Sequence, residues 1–490
     1  MNGKVLITGG SRGIGDLLSR LLISKGYQVY SLARSTSSFT HPNFIQLKYD
    51  LSKVDELSHF MDEFLKKHGV PDLLINNRLK ESPIPLEPPV IKTIPAIAKD
   101  YKIRLLHRSK SLQIIKILKI PTIHLITLEF PPKRGGAGVY CNELSFIAAK
   151  LGFKLKLWVP KNSHSVERCE IYQLSFKGSQ SLLCSLRLIL NLRKGVDEHD
   201  ILHLAEPAAL LAFIRFGWLI KGNPKIMITI HGSELLRFGR NPLTRKLFSR
   251  FLSKSSKIHV LSKHNEEKLL QLFPYIQSDC IIRLPGGVPR GLAKANESNL
   301  PVQNRAQTAI LCVGRIHPRK GQFELLEAIK DLPPETKQKI VCKFVGPFTH
   351  KSYSEQVQDF AHLVGCQVEF LGDLSDEELS THYNVADIFA LTPILSPKSV
   401  EGFGFVYLEA SYFGLPVIGH RVGGVEDAVD DGQTGLLADP EKRSSLTKIL
   451  QKLISDESLR STLGSNGKKW ALTQSWEKLA IVLYERIQID

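Results

Sequence analysis

Cysteine is scarce and poorly spaced for cross-linking. The 490 residues include seven, Cys141, Cys169, Cys184, Cys280, Cys312, Cys342 and Cys366, an odd number with no C-x-x-C pair. That argues against a disulfide framework or a zinc site and suits a reducing, cytoplasmic compartment. No run of 18 or more apolar residues occurs, so no segment reads as a membrane span. Met1-Asn2-Gly3-Lys4 leads straight into a short apolar strand, which is not the pattern of a secretory leader. With 35 Gly and 26 Pro the chain is neither collagen-like nor of low complexity. Acidic residues are in deficit, 48 against 65 Lys and Arg, a net charge of +17. The excess favours anionic partners such as nucleotides or phospholipid headgroups. Nucleic acid is not expected, because no binding motif accompanies the charge. A composition of 43% hydrophobic and 23% charged residues is globular and excludes a mainly disordered chain.

What is present falls into three segments. Residues 1–77 alternate strands (4–8, 27–32, 44–49, 71–75) with helices (14–25, 54–67), the pattern of a parallel, doubly wound α/β sheet. Residues 78–120 carry Pro83, Pro85, Pro88, Pro89 and Pro95 and many bases, and read as a basic linker. Within them, 110–119 could form a short basic amphipathic helix. From 121 a longer alternation begins, with strands at 123–128, 156–159, 226–230 and 258–261 and a fresh start at 309–313. The polar stretch 296–308 divides it into two Rossmann-like halves, 121–305 and 306–475, with 476–490 as a closing helix.

Between the first strand and helix lies Thr8-Gly9-Gly10-Ser11-Arg12-Gly13-Ile14-Gly15. Glycines there let the backbone approach a pyrophosphate at a helix N-terminus. The loop resembles the T-G-x-x-x-G-x-G of short-chain dehydrogenases/reductases, and Leu73-Leu74-Ile75-Asn76-Asn77 resembles the start of that family's N-N-A-G. The resemblance implies a cofactor site of Gly9, Arg12, Gly13, Gly15, Arg34 and Asp50. Arg12 and Arg34 suit a 2′-phosphate, hence NADP, and Asp50 matches the adenine contact. The likeness stops at residue 77. No Tyr-x-x-x-Lys follows at a sensible distance, since Tyr49–Lys53 comes too early. The segment therefore reads as a truncated remnant with a vestigial NADP site, and half a sheet would leave an open edge.

The most informative stretch is Glu401-Gly402-Phe403-Gly404-Phe405-Val406-Tyr407-Leu408-Glu409-Ala410. Two carboxylates stand eight apart, one before a helix and one on its second turn. A carboxylate accepts hydrogen bonds from paired hydroxyls, as on a ribose or hexose. Gly402 and Gly404 let backbone N–H groups approach a diphosphate at the helix start. Upstream, after the strand at 309–313, Gly314-Arg315-Ile316-His317-Pro318-Arg319-Lys320-Gly321 sets Arg315 and Lys320 where they can neutralise a departing nucleotide.

These motifs resemble glycosyltransferase family 4, with its E-x7-E and G-R-x-x-x-x-K-G. Phe413-Gly414-Leu415-Pro416, Val422-Gly423-Gly424, Phe130-Pro131-Pro132-Lys133-Arg134-Gly135-Gly136 and Thr229-Ile230-His231-Gly232-Ser233-Glu234 agree with it. The resemblance covers about 121–490. It implies a GT-B fold and a retaining transfer from a nucleotide-sugar with no metal or other cofactor. It also implies roles. Arg315 and Lys320 hold the diphosphate in place of a divalent cation. Glu401 contacts the sugar, Glu409 the ribose, and His231 sits at the donor–acceptor junction. Gly136, Gly404 and Phe405 complete the substrate-binding set. For His231 a structural strand-end histidine, and for the Glu pair helix capping, are the plainer readings.

Two basic amphipathic stretches, 181–194 and 235–257, are suited to an anionic membrane surface or, more plainly, to a core-facing helix with a solvated edge. The first reading implies a saccharide or lipid-linked acceptor, in polysaccharide or lipopolysaccharide biosynthesis, at the inner face of the cytoplasmic membrane. The competing readings are an NADP-dependent reductase, a non-catalytic nucleotide-sugar-binding protein and an epimerase on the same fold.

Overall fold

The structure is a computed structural model. It describes residues 3–10, 13–51, 53–77, 101–108, 112–119, 121–132, 135–175, 181–296, 307–396 and 399–489. The chain forms two compact units, Met1–Pro121 and Thr122–Asp490.

The first unit begins with β1 (Lys4–Thr8), the helix Gly13–Ser24, β2 (Gln28–Ala33), β3 (Phe44–Lys48), the helix Val54–His68 and β4 (Leu73–Asn77). A hairpin follows, β5 (Tyr101–Arg108) and β6 (Leu112–Lys119), giving the order β3-β2-β1-β4-β6-β5. β1 to β4 are parallel and buried on both faces: Leu6, Leu32 and Leu74 pack against Leu57, Met61 and Phe64, while Val5, Ile7, Val29 and Ile75 meet Ile23. Here two expectations are corrected. Residues 101–108 and 112–119 are strands rather than linker, and the helix expected at 110–119 is replaced by a strand over its described part. β6 pairs antiparallel with β4, Leu73 opposite Lys116, so the edge expected to be open is covered. Ile114, Ile115 and Ile117 are β-branched, and beside an open edge that preference outweighs a weak helical periodicity. The proline run and the polar stretch 297–306 lie outside the described residues.

The second unit holds two parallel sheets. The first contains β7 (Ile123–Ile126), β8 (Leu155–Pro160), β9 (Glu170–Leu174), β10 (Ile201–Leu204), β11 (Lys225–Ile230), β12 (Lys257–Val260) and β13 (Ile281–Arg283), ordered β13-β12-β11-β10-β7-β8-β9. The second contains β14 (Thr308–Val313), β15 (Ile340–Val345), β16 (Gln367–Gly372), β17 (Ile388–Ala390), β18 (Val417–His420) and β19 (Gly435–Ala438), ordered β16-β15-β14-β17-β18-β19. In both, the strand order reverses beside the first strand, at β7/β10 and β14/β17. Ligands of such sheets bind outside the carboxyl ends at that reversal. This is the GT-B architecture.

The helix Trp476–Ile489 returns from the second half to the first. Tyr484 and His203 Nδ1 are hydrogen bonded at 2.9 Å, and Trp476 Nε1 donates to Val288 O at 3.0 Å. Across the cleft, Asp427 accepts from the backbone N–H of Lys263 (2.7 Å) and His264 (3.3 Å), capping the helix Lys263–Leu272 from the opposite half. The basic stretch at 235–257 is two helices, Ser233–Arg240 and Pro242–Leu252. Asn241 and Pro242 start the second.

Candidate active site

The loop after β14 is built to present cations. Pro318–Lys320 is a 3-10 turn whose preceding His317 accepts the Arg319 N–H at 3.2 Å, and Gly321 opens the helix Gln322–Lys330. Buried Gln322 donates to Arg315 O at 2.9 Å and so fixes the loop's entry. The loop after β17 runs alongside: Thr392 Oγ1 donates to Gly321 O at 2.7 Å, and Ile394 N donates to Arg319 O at 3.1 Å. This second loop carries Glu401.

The structure brings Glu401 and Lys320 together, with Lys320 Nζ 2.8 Å from Glu401 Oε2. The same oxygen also receives Arg319 Nη1 at 2.7 Å. Burial alone would raise Glu401, but the charges and hydrogen bonds of Lys320 and Arg319 outweigh it and bring its pKa down to about 2. Lys320 is pushed below the usual lysine range by burial, against the pull of Glu401. Arg315 stands on the same loop with its side chain exposed, and no ion pair to Glu401 is found among the described residues. Arg319 is the partner that the sequence reading passed over. Its adjacency to Lys320 was visible in the motif, but its direction was not.

Gly404, at φ 83°, precedes the helix Phe405–Tyr412, and no side chain caps that end. Phe405 is half-buried and stacks on Trp476 with ring centroids 5.8 Å apart. Glu409 is buried one turn further and accepts from the Tyr383 hydroxyl at 2.9 Å. Burial raises its pKa to about 7, with Tyr383 pulling the other way. Between the ordinary carboxylate range and pH 7 the unfolded chain ionises while folded Glu409 stays protonated, so this group's contribution to stability falls as pH rises through that window. If the ionised form takes the ribose diol, donor kcat/KM falls about tenfold per pH unit below pH 7. Glu409→Gln should flatten that limb, and pH–rate profiles check it.

The first half supplies His231 and Gly136. His231 follows β11. Its Nε2 lies 2.9 Å from Ala205 O, an acceptor, so Nε2 donates there. Buried Glu234 fixes the turn by accepting from His231 N (3.1 Å) and Gly232 N (2.8 Å). Gly402 packs on the His231 carbonyl so closely that any Cβ would collide with it, and Asn265 Nδ2 reaches Gly402 O at 3.3 Å. His231 and Glu401 are thereby held on facing loops. Gly136 begins the helix Gly136–Lys150, and a Cβ there meets nothing within 4 Å. The Gly138 N–H at this helix start donates to Glu129 Oε1 at 3.2 Å, and the space beside Gly136 itself is open. Gly136→Val should therefore hold stability within about 0.5 kcal/mol yet raise donor KM by roughly tenfold, checked by thermal unfolding and donor titration.

The predicted dinucleotide residues lie in the first unit. Gly9, Gly13 and Gly15 follow β1, Arg34 is exposed just past β2, and Asp50 comes two residues after β3. All stand at carboxyl ends of parallel strands. Gly15 packs on the Gly9 carbonyl, where a Cβ would collide. Arg12 lies outside the described residues.

Comparison with known proteins points to glycosyltransferases. The family described as glycosyl transferases group 1 matches residues 296–470, and glycosyltransferase family 4 matches 134–290. The short chain dehydrogenase family matches 3–78. An uncharacterized glycosyltransferase of Methanocaldococcus jannaschii is 30% identical over 309 residues, 62% of this chain and 79% of its own length. A GDP-mannose-dependent alpha-(1-6)-phosphatidylinositol monomannoside mannosyltransferase of Mycobacterium tuberculosis is 26% identical over 389 residues, 75% of this chain and 98% of its own length. Among solved structures, Anabaena HepE in complex with UDP and glucose superposes with a TM-score of 0.60 at 17% identity, covering 76% of this chain and all (100%) of that one. WaaG, involved in lipopolysaccharide biosynthesis, gives 0.57 at 17% identity, with 74% and 99% covered. The chain belongs to the glycosyltransferases, with an additional N-terminal segment before the transferase.

Proposed function

We propose that the transferase unit moves a hexose from a nucleotide-sugar to a saccharide or lipid-linked acceptor, with retention of anomeric configuration, in assembly of a cell-surface polysaccharide or lipopolysaccharide. The observation that carries this is the buried Glu401 carboxylate, held ionised by Arg319 and Lys320 and facing the His231 loop across the cleft. In this reading Arg315 and Lys320 hold the diphosphate, Glu409 the ribose, and Glu401 the sugar hydroxyls. The acceptor hydroxyl attacks C1 on the face the phosphate leaves. The C1–O(phosphate) bond breaks, the C1–O(acceptor) bond forms, and the hydroxyl proton passes to the departing phosphate. The cations take up the leaving charge, so no metal or other cofactor is required. The mycobacterial mannosyltransferase makes GDP-mannose the first donor to try.

The lipid-linked acceptor is supported by the surface of the first half. Leu183 and Trp218 are 80% and 78% exposed, and Leu182, Leu190, Leu243 and Leu247 are exposed with them. A cleft of about 430 Å³ opens nearby, lined by Arg240, Arg245, Lys246 and Tyr275. Apolar tips among cations suit an anionic membrane, and the reading places the protein on its cytoplasmic face. Among the described residues no helix is long and apolar enough to cross a membrane. For the first unit, the proposal is a vestigial NADP site without oxidoreductase activity. Antiparallel β6 occupies the place beside β4 where a further parallel strand of a full dehydrogenase sheet belongs.

Incubation with UDP-, GDP- and ADP-sugars, with and without membrane lipid extract, tests the proposal. Nucleotide release from one donor, increased by lipid, is expected. Release from none of them in either condition overturns it.

A further inference from the structure

We propose that Arg319 is a positioning residue of the donor site: it retains Glu401 when Lys320 turns to the donor diphosphate. The inference rests on Glu401 being the sugar-contacting carboxylate.

Two cations converge on one carboxylate oxygen. Arg319 Nη1 lies at 2.7 Å and Lys320 Nζ at 2.8 Å from Oε2, and the three side chains are only 15%, 13% and 10% exposed. Among the described residues no hydrogen bond to Oε1 is found, which leaves that oxygen for sugar hydroxyls. One cation suffices to neutralise Glu401, so the second is surplus until another anion arrives. Both stretches of the cation loop are tied to the loop that carries Glu401, through Ile394 N to Arg319 O at 3.1 Å and Thr392 Oγ1 to Gly321 O at 2.7 Å. The two cations differ in their side chains, and the planar fork of Arg319 suits a carboxylate. Lys320 is a point charge on a flexible stem, the side chain better suited to exchanging one anion for another. Without Arg319, a diphosphate that captured Lys320 would leave Glu401 as an uncompensated anion in a dry site, facing further negative charge.

Among the described residues, the other charged or titratable groups near Glu401 are Tyr407 on the following helix, Arg315 on the cation loop, His231 on the facing loop, and His264 and Lys268, which line the cleft from the first half. None of these is hydrogen bonded to Glu401 among the described residues.

The test compares Arg319→Gln, Arg319→Lys, Lys320→Gln and Glu401→Gln in the full chain, with thermal unfolding as the folding control. Arg319→Gln is expected to lower kcat on the order of 100-fold with donor KM changed less than about threefold. Its kcat–pH profile should gain an acid limb as Glu401 begins to protonate. Arg319→Lys should recover at least about tenfold of the loss and remove that limb. Lys320→Gln should instead raise donor KM. If Arg319→Gln raises donor KM as Lys320→Gln does, with kcat kept, Arg319 is a phosphate ligand and the proposal falls. Wild-type kcat in both Arg319 variants with an inactive Glu401→Gln also overturns it, while leaving the assignment of Glu401 standing. Wild-type kcat in Glu401→Gln removes the assignment itself.

Discussion

Glu401→Gln is expected to lower sugar transfer on the order of 10³-fold while the protein stays folded. The replacement keeps the shape of the side chain and removes its charge. Arg319 and Lys320, both within 2.8 Å of the present carboxylate, then lose their counter-ion. The sign of the binding effect follows. Two unbalanced cations attract a diphosphate more strongly, so donor KM should stay level or fall as kcat collapses. Such a split marks an interaction made in the transition state rather than uniform binding. Donor titration under steady-state and single-turnover conditions measures both quantities. A variant with raised KM and unchanged kcat would show Glu401 to be a simple binding group.

Trp476→Ala is expected to have the largest effect on stability, a loss of about 3–5 kcal/mol. Trp476 is 4% exposed and joins three parts of the second unit. Its ring stacks on Phe405 of the helix Phe405–Tyr412 and meets Tyr140 of the first half edge-on, each at 5.8 Å. Gly286 and Gly287 lie against it so closely that a Cβ would stand only 2.6 and 3.0 Å from the indole. Its N–H is satisfied by Val288 O at 3.0 Å. Removal leaves a cavity and an orphaned carbonyl, and it takes away the support beneath the N-terminus of the helix Phe405–Tyr412. Activity should therefore fall together with stability. Trp476→Phe should retain most of the packing and lose about 1 kcal/mol for the hydrogen bond. Denaturant unfolding of both variants is the check, and an unchanged midpoint in Trp476→Ala would contradict this packing.

The doubly wound sheets were legible because buried parallel strands are nearly continuous apolar runs, as at 123–126 and 309–313. The candidate site was legible where its residues lie within one motif: Glu401 and Glu409 flank one helix start, and Lys320 ends one loop. What stayed hidden needed the topology. Arg319 meets Glu401 across 82 positions, Tyr383 meets Glu409 across 26, and His203 meets Tyr484 across 281. Periodicity carries no information about such pairs. Asp427, which caps a helix of the opposite half, is an ordinary exposed acid in the sequence for the same reason. The hairpin at 101–119 was missed on different grounds. Its short isoleucine-rich run fits a helix or a strand, and the open edge of β4 decides between them. The exposed leucines at 182, 183 and 190 show the opposite limit, because an amphipathic pattern does not say which apolar residues reach the core.

The account turns on transfer of the sugar to an acceptor with its anomeric centre retained. The most direct measurement is to isolate the product made from the donor that turns over, and to determine its mass and anomeric configuration by mass spectrometry and NMR. The account predicts an acceptor heavier by one hexose, with the anomeric configuration of the donor. An inverted linkage would contradict the retaining mechanism, and free sugar or an epimerised donor without glycoside would contradict transfer itself.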